Sequence, residues 1–259
     1  MAFIAGFLAG GINVMVGAGT LISFPLLLLA GHPPLTATIA NTIGLVPASA
    51  TGVLAYRDEL RPLMRTMRFL LPASMAGGVL GATLLLSFPA AVFVAVVPWL
   101  IALGTLLVLL GPTIKNAISA RSPNNRTDAP MHGGVFASRA AMVGGIVGVF
   151  ALGTYGGYFS AAQGILLLGL LGILTNLDMQ RLNGIKNLSV LGVNGIAALV
   201  YMVFSPPGLV NWAVAGVVAL GAASGGFIGG RLAKRLSPTI LRWFVVVVGV
   251  VTVAVMLLR

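Results

Sequence analysis

The sequence predicts an all-α, polytopic integral membrane protein with about eight hydrophobic segments, and its composition and segment lengths support that prediction. Of the 259 residues, 58% are hydrophobic and only 7% are charged, whereas a soluble domain carries roughly 25% charged residues. So few charges cannot cover a water-exposed surface, and we expect the surface to face lipid. The 35 glycines also suit a bilayer, where small residues let helix backbones approach closely.

The formal net charge of +11, from 15 Lys and Arg against 4 Asp and Glu, lies in short clusters between apolar runs. This pattern favours orientation by the positive-inside rule over a nucleic-acid-binding face, and we expect no nucleic-acid partner. The N-terminal run MAFIAGFLAGG has no positive region, so it is interpreted as a retained membrane segment in a plasma (inner) membrane protein.

The hydrophobic segments are delimited by the bilayer core, which is about 30 Å thick and is crossed by about 20 helical residues. A polar stretch at 115–134 divides the chain into a first transmembrane repeat, 1–114, and a second, 135–259, joined by a cytoplasmic linker. The predicted segments are 3–30, 35–56, 69–87, 90–114, 135–174, 187–204, 210–230 and 239–258.

Segments 3–30 and 135–174 are unusually long. As one helix, the second would measure about 60 Å, twice the bilayer core. Each contains a glycine cluster, at 17–19 and at 153–157, and glycine permits backbone turns that other residues resist. We therefore predict that each segment is a broken or re-entrant pair of short helices with its bend at the glycines. For segment 3–30 a long, tilted, continuous helix is the alternative.

Loop charges indicate how the two repeats are oriented. The basic loops at 57–68, 115–139, 178–186 and 231–242 fall on one side of the membrane only if segment 135–174 enters and returns to the same side. If segment 3–30 does likewise, the two repeats have opposite orientation. This is the inverted-topology architecture of many secondary transporters. Sequence identity between the repeats is low when 41–56 is aligned with 186–201.

The two bends are predicted to meet at a substrate site near the membrane midplane, because broken helices expose backbone groups there. Helix N-termini offer free N–H groups and a partial positive charge, which favour an anion. The alternative is that the glycines only pack helices together. The candidate residues at the two bends are Asn13, Gly17, Gly19, Thr20, Tyr155, Gly156, Gly157 and Gln163.

Polar residues in two other segments extend the candidate site. An Asn in the hydrocarbon region is costly, so Asn41, Asn187 and Asn194 are expected to face a polar interior, with Thr42 beside the first. Asn187 and Asn194 are two helical turns apart and share a face. Ser49 and Ser189, in the same segments, are expected mainly to bond their own helix backbone.

Charged residues further restrict the substrate. All four acids, Asp58, Glu59, Asp128 and Asp178, lie in or beside loops, and this placement argues against a cation substrate, which often uses a buried carboxylate.

Lys186 stands at the start of segment 187–204. It is either an anion-attracting charge in the cytoplasmic vestibule or an ordinary snorkelling lysine. Arg181 is a weaker candidate for the same role, and Asp178 is a candidate ion-pair partner for either cation.

No enzyme signature appears in the chain. His32 and His132 are isolated, and the sequence contains neither an H-E-x-x-H, nor a G-x-S-x-G, nor a P-loop motif. We therefore expect neither catalysis, nor a metal site, nor a cofactor.

Motifs in both halves resemble the TauE/SafE sulfite exporter family, also called the toluene sulfonate uptake permease family. The first is GFLAGGINVMVGAGTLISFPLLLLAG, and the second half carries GGYFSAAQGILLLGLLG and QRLNGIKNLSVLGVNGIAALVY. The first bend departs from the family pattern, since it reads Gly-Ala-Gly where many members have more consecutive glycines. Matching positions are Gly17, Gly19, Thr20, Gly156, Gly157, Gln163, Lys186 and Asn187.

The resemblance implies transport, often export, of sulfite or a related sulfur-containing anion such as sulfoacetate. From the residues alone we expect a broken-helix membrane protein suited to a small anion, working by alternating access. An anion channel and a membrane subunit of a larger complex are the alternatives. A homodimer is left open, because apolar surfaces that face lipid and those that face a second subunit look alike.

Overall fold

The structure is a computed structural model that describes residues 1–121, 135–136, 138–232 and 238–257. These residues are almost entirely helical, with one isolated antiparallel bridge between Phe136 and Thr175, so the predicted all-α class is confirmed. A 3-10 turn, Arg61–Leu63, joins the fourth and fifth helices. The helices are α1 Ala2–Met15, α2 Thr20–Leu29, α3 Pro34–Ala55, α4 Arg57–Leu60, α5 Met64–Ser87, α6 Ala90–Arg121, α7 Arg139–Tyr158, α8 Gln163–Leu174, α9 Met179–Phe204, α10 Trp212–Leu232 and α11 Pro238–Leu257.

Six stretches of the described chain are long and apolar enough to cross a membrane. They are α3, α4 together with α5, the first 24 residues of α6, α7, α9, and the first 18 residues of α10. Helices α1, α2 and α8, and residues Trp243–Ala254 of α11, are apolar but shorter. Many large apolar side chains point outward, Trp99 and Phe204 among them, at 69% and 70% exposed. The chain is therefore a multi-pass membrane protein.

The first predicted break is confirmed at its glycines. Helix α1 ends at Met15 and α2 begins at Thr20, so segment 3–30 is not one long helix. Gly17 turns the backbone between them with a φ of +79°, a conformation that glycine adopts without steric cost.

The second break is also present, but its predicted position was wrong. The 153–157 cluster lies inside α7, and the chain turns afterwards, at 159–162, where Ser160 and Ala162 take positive φ values of 62° and 56°. A Cβ on Gly153 or Gly157 would lie 2.2 Å or 2.3 Å from a backbone oxygen of α5. These two glycines therefore pack helices, as the alternative interpretation proposed.

Helix α8 folds back along α7. A Cβ on Gly148 would lie 2.5 Å from Leu170, and one on Gly144 would lie 4.0 Å from Leu174. Helices α7 and α8 therefore run antiparallel. Helix α8 has 12 residues and measures about 18 Å, too short to cross a core of about 30 Å. Segment 135–174 therefore enters and returns, as predicted.

The contacts between helices follow a two-fold pattern that relates α1, α2, α3, α5 and α6 to α7, α8, α9, α10 and α11. Helix α1 packs on α10 as α7 packs on α5, α10 packs on α3 as α5 packs on α9, and α11 packs on α2 as α6 packs on α8. Helix pairs α3–α9 and α6–α11 pack across the axis. The first helix of each repeat thus docks on the other repeat, as an inverted-repeat pair requires.

Two predicted segment ends differ from the helix ends. Helix α6 continues to Arg121, seven residues into the stretch assigned to the linker, and α9 begins at Met179 rather than at 187. Hydropathy marks the apolar part of a helix, whereas a helix continues through polar residues wherever its backbone bonds continue. The rest of the linker, 122–134, lies outside the described residues.

Candidate anion site at the helix breaks

The two helix breaks are in direct contact, which the sequence predicted. The backbone N–H of Gly164 donates a hydrogen bond to the carbonyl oxygen of Gly17 at 3.2 Å. A Cβ on either residue would lie 2.6 Å from the Cα of the other, so only glycine fits on either side of this junction. We call it the Gly17–Gly164 junction.

Helices α2 and α8 both begin at this junction, so two helix N-termini lie there. Several of their backbone N–H groups have no hydrogen-bond acceptor among the described residues, and the partial positive charge of a helix N-terminus adds to their pull on an anion. The N–H groups without an acceptor are those of Ala18, Gly19 and Thr20 at α2, and of Ala161, Ala162 and Gln163 at α8.

Lys186 reaches the same junction from α9. The side chain is fully buried, and its Nζ donates to the carbonyl oxygen of Val14, in the last turn of α1, at 3.1 Å. A Cβ on Gly164 would lie 3.1 Å from its Cδ. Lys186 therefore does not snorkel to the membrane surface, and it lies inside the protein rather than at the mouth of a vestibule. Its role as an anion-attracting charge stays a prediction. Its amine lies inside, between the two breaks.

Lys186 and Asn41 occupy equivalent positions in the two repeats. Lys186 lies seven residues after the start of α9, and Asn41 lies seven residues after the start of α3. At 1.5 Å per residue both are about 11 Å from the first residue of their helices, and both side chains are buried. The two residues are also equivalent in the alignment of 41–56 with 186–201.

Asn41 holds the start of α2, much as Lys186 contacts α8 and the end of α1. Its Oδ1 accepts a short hydrogen bond from the hydroxyl of Ser23, and its Nδ2 donates to Thr20 Oγ1 at 3.2 Å. Thr42 follows it and is also buried. Thr20 and Asn41 thus belong to one buried polar cluster.

A second polar chain runs through Ser49 and links both repeats. Asn13 on α1 and Asn194 on α9 donate through Nδ2 to Ser49 Oγ at 3.3 Å and 3.4 Å. Ser160, in the second break, donates to Asn194 Oδ1 at 3.2 Å. Ser49 itself donates to Leu45 O at 3.1 Å. The predicted bond of Ser49 to its own helix is therefore only part of its role.

Asn187 packs beside Lys186 and bonds the other repeat. Its Nδ2 donates to the carbonyl of Gly52 at 3.5 Å, and a Cβ on Gly52 would lie 3.1 Å from the amide carbon and oxygen of Asn187. The next serine on α9, Ser189, has a buried hydroxyl with no hydrogen-bond partner among the described residues, so the predicted backbone bond of Ser189 is absent.

Three candidates on the second repeat support the break rather than face an open cavity. The hydroxyl of Tyr155 donates to Ala161 O at 2.5 Å. Gln163 donates through Nε2 to Leu152 O at 3.1 Å, while its Oε1 is buried without a partner. The side chain of Gln163 lies over Gly156, where a Cβ would come within 2.2 Å of its amide carbon.

Sequence reasoning missed four polar contacts of this region. Ser23 and Ser160 lie beside predicted residues but were not singled out, and Ser49 was assigned only to its own helix. The hydroxyl of Tyr201 on α9 donates a short hydrogen bond to the carbonyl of Gly157. Tyrosine at the end of an apolar segment is also common at membrane interfaces, so nothing in the sequence distinguished its burial.

Carboxylates stay away from the junction in the part of the chain that the structure describes. Asp178 caps α9 by accepting from the N–H of Arg181 at 2.9 Å, and it pairs with the Arg181 side chain at 3.4 Å. Asp58 pairs with two exposed arginines on α4 and the following turn. Asp178 thus forms its ion pair with Arg181, and Lys186 has no carboxylate partner among the described residues. Asp128 lies outside the described residues.

Comparison with known proteins also indicates a membrane protein. The family model described as "Sulfite exporter TauE/SafE" matches residues 2–256. A "Probable membrane transporter protein ORF9" from Sinorhizobium sp. is 28% identical, over 96% of this chain and 88% of its own length. A "Probable membrane transporter protein" from Haemophilus influenzae is 25% identical, over 98% and 92%. No solved structure matches the chain significantly.

The family and the names of both relatives indicate a membrane transporter rather than an enzyme. Two broken helices that meet inside a multi-pass helical protein are an arrangement found in many membrane transporters. On the match over nearly its whole length, the chain belongs to the sulfite exporter TauE/SafE family.

Proposed function

We propose that this protein is a secondary transporter that exports a small sulfur-containing anion, such as sulfite or an organosulfonate like sulfoacetate, by alternating access. The anion binds at the Gly17–Gly164 junction. The observation that supports this proposal most strongly is the burial of Lys186 beside two helix N-termini, without a carboxylate among the described residues.

The sign of the substrate's charge follows from this chemistry. An ammonium group and unsatisfied N–H groups are hydrogen-bond donors that carry positive charge or partial charge, and they favour an anion. An oxyanion with several acceptor oxygens would satisfy donors from both α2 and α8 at once. A cation would be repelled by the ammonium form of Lys186, and no carboxylate among the described residues would balance the cation's charge.

The choice of a sulfur anion rests on the family, whose description names sulfite. Sulfite and sulfonates present three acceptor oxygens on one sulfur, and the N–H groups without an acceptor at the starts of α2 and α8 are donors for such oxygens. Asn13, Asn41, Asn187 and Asn194 add buried neutral amide groups, which act as donors or acceptors, to the helices that carry the junction.

Alternating access requires that the two repeats move relative to each other. The polar chain through Ser49 and the Gly17–Gly164 bond both connect the first repeat to the second. We propose that these contacts form and break as one repeat rocks against the other, so that the site opens to one side at a time.

Counterflow in proteoliposomes tests the proposal. Vesicles that hold the purified protein and unlabelled sulfite are diluted into labelled sulfite, with sulfoacetate, acetate and chloride as competitors. A carrier accumulates label transiently above equilibrium, whereas an anion channel only equilibrates it. We expect counterflow that sulfoacetate competes for and chloride does not. Equilibration without overshoot would favour the channel, and no flux of any of these anions would contradict the proposal.

Measuring transport by the Lys186→Met variant, with Arg181→Gln as its matched control, tests whether the flux depends on this site. Both substitutions remove one cation from α9, but Arg181 is partly exposed and paired with Asp178. Hydrogen bonds to charged groups contribute about 1.5–3 kcal/mol. Lys186→Met should therefore raise the anion concentration at half-maximal transport roughly 10- to 100-fold. Arg181→Gln should leave it close to wild type.

A further inference from the structure

Lys186 is the one charged side chain that is fully buried among the residues whose side chains the structure describes. It lies inside α9, between the two helix breaks, and its Nζ contacts a single protein acceptor, the carbonyl of Val14. A neutral amine would be satisfied by that one acceptor and by weak contacts. An ammonium ion has three N–H donors and a full charge to balance.

Charged groups on the neighbouring helices do not reach Lys186. Helices α3 and α8, which pack on α9, contain no ionisable residue, and neither do α1 and α2. Tyr155 and Tyr201 bond backbone carbonyls, and Tyr158 packs its ring on Phe93. The other groups on α4, α5, α7 and α9 are exposed or half-exposed near helix ends: Arg57, Asp58, Glu59, Arg65, Arg68, Arg139, Asp178 and Arg181. The side chains of Lys115 and Arg121 on α6 lie outside the described set.

A buried ammonium without a counter-charge is costly, because burial penalises the charged form of the group. The C-terminal carbonyls of α1 offset only part of this cost, since a helix C-terminus carries about half a negative charge. A bound anion supplies the missing charge. The anion and the proton on Lys186 therefore stabilise each other, and by linkage each raises the affinity for the other.

We propose that Lys186 takes up a proton when the anion binds and releases it when the anion leaves, so that the protein is an anion–proton cotransporter. The inference rests on the proposed function and names its coupling ion. On loading, an N–H bond forms between the neutral amine and a proton from water on that side. On release, the same bond breaks and the proton passes to water on the other side. No other bond changes.

This cycle explains how a single lysine serves a carrier. Loaded with a monoanion, the site contains an ammonium and one negative charge. Empty, it contains a neutral amine. Neither form leaves net charge at the buried centre while the repeats move, which a low-dielectric interior strongly favours. One anion and one proton cross together. For a monoanion such as bisulfite the transport is electroneutral, and export is driven by the anion's own concentration gradient; a dianion such as thiosulfate carries one net negative charge across with the proton.

The first test measures proton uptake on binding. The purified protein is titrated calorimetrically in buffers of different ionisation heat, so that proton uptake can be separated from binding. One ligand is thiosulfate, which stays ionised at neutral pH. The other is sulfite, whose own protonation is corrected for. We expect uptake that approaches one proton per anion as the pH rises from neutral, and affinity that falls up to about tenfold per pH unit.

Variants assign the proton to Lys186. Lys186→Arg keeps a permanent charge, so it should bind without proton uptake and with a flat pH dependence. Lys186→Met should bind weakly, also without uptake, and Arg181→Gln should behave like wild type. Binding by wild type with no proton uptake would overturn the inference while leaving the proposed function intact, as would unchanged uptake in Lys186→Met. No binding of either anion would contradict the proposed function itself.

The second test uses the pH gradient as a driving force. In proteoliposomes, a gradient that is acidic on the side of the labelled thiosulfate should drive its accumulation on the other side by the wild-type protein. Lys186→Arg should exchange label for unlabelled thiosulfate but should gain nothing from the gradient. Equal accumulation with and without a gradient in wild type would contradict proton coupling.

Discussion

Gly164 donates its backbone N–H to the carbonyl of Gly17, so the break in the first repeat and the break in the second are joined by one hydrogen bond. The two residues lie 147 positions apart in the chain. Neither has room for a side chain, and the Lys186 side chain passes directly beside Gly164. The geometry of the candidate site therefore depends on the absence of two Cβ atoms.

Gly17→Ala should destabilise the protein and reduce transport together. The substitution places a non-glycine residue at a φ of +79°, which costs about 1–3 kcal/mol, and sets a Cβ 2.6 Å from Gly164 Cα. The thermal midpoint in detergent and counterflow should both fall. Gly195→Ala on α9, where a Cβ meets nothing within 4 Å, is the matched control. A Gly17→Ala protein with wild-type midpoint and flux would contradict this account of the junction.

Ser49→Ala should leave two asparagines without their shared partner. A buried polar group that loses its hydrogen bond costs about 1–3 kcal/mol, so the thermal midpoint should drop. Ser224→Ala on α10, whose hydroxyl bonds only its own helix, should change little. In a double-mutant cycle, Asn13→Ala and Asn194→Ala should be non-additive, because both act through Ser49. Additive effects would show that the polar side chains around Ser49 do not couple the two repeats.

Gly157→Ala should act through helix packing rather than through the bend. Its Cβ would lie 2.3 Å from the carbonyl oxygen of Gly78 on α5, and such overpacking costs about 1–3 kcal/mol. Gly81→Ala on the opposite helix, with a Cβ 2.0 Å from Thr154 O, should lower the thermal midpoint similarly. Gly216→Ala meets nothing within 4 Å and serves as control. Lost transport at an unchanged midpoint would instead restore a role for Gly157 in the site.

The inverted orientation of the repeats predicts opposite exposure of two turns. The chain has no cysteine, so single cysteines report accessibility cleanly. Pro62 before α5 and Pro207 before α10 are both exposed, and three crossings plus one re-entrant pair separate them. In intact cells, a membrane-impermeant maleimide should label Pro207→Cys but label Pro62→Cys only after lysis. Labelling of both without lysis would contradict the topology.

The sequence predicted the architecture well because membrane helices can be recognised by their length and hydropathy. A segment of about 40 residues cannot cross once, and loop charge then implied the re-entrant pair. The first bend was located correctly because Gly17 has the positive φ that glycine favours. The second was misplaced because the 153–157 glycines serve packing against α5, while Ser160 and Ala162 adopt positive φ without being glycine.

The sequence singled out buried polar residues of the candidate site but not their contacts. The four asparagines and Lys186 stood out because polar groups are costly in a bilayer. Their partners did not, since Asn194 and Ser49 are 145 positions apart and only the folded helices bring them together. The burial of Lys186 could not be inferred from its position at the edge of an apolar run, because α9 begins seven residues earlier and carries it inward.

The most direct test of the central claim, that Lys186 at the helix breaks binds the transported anion, is a thermal-shift titration of the purified protein. A ligand that binds the folded state raises the melting temperature by mass action, with about 2.7 kcal/mol of stabilisation at one hundred times Kd. Sulfite, thiosulfate and sulfoacetate are compared with acetate and chloride. We predict a saturable rise for at least one sulfur anion in wild type and Arg181→Gln, and its loss in Lys186→Met. An equal rise in Lys186→Met and wild type would contradict the account.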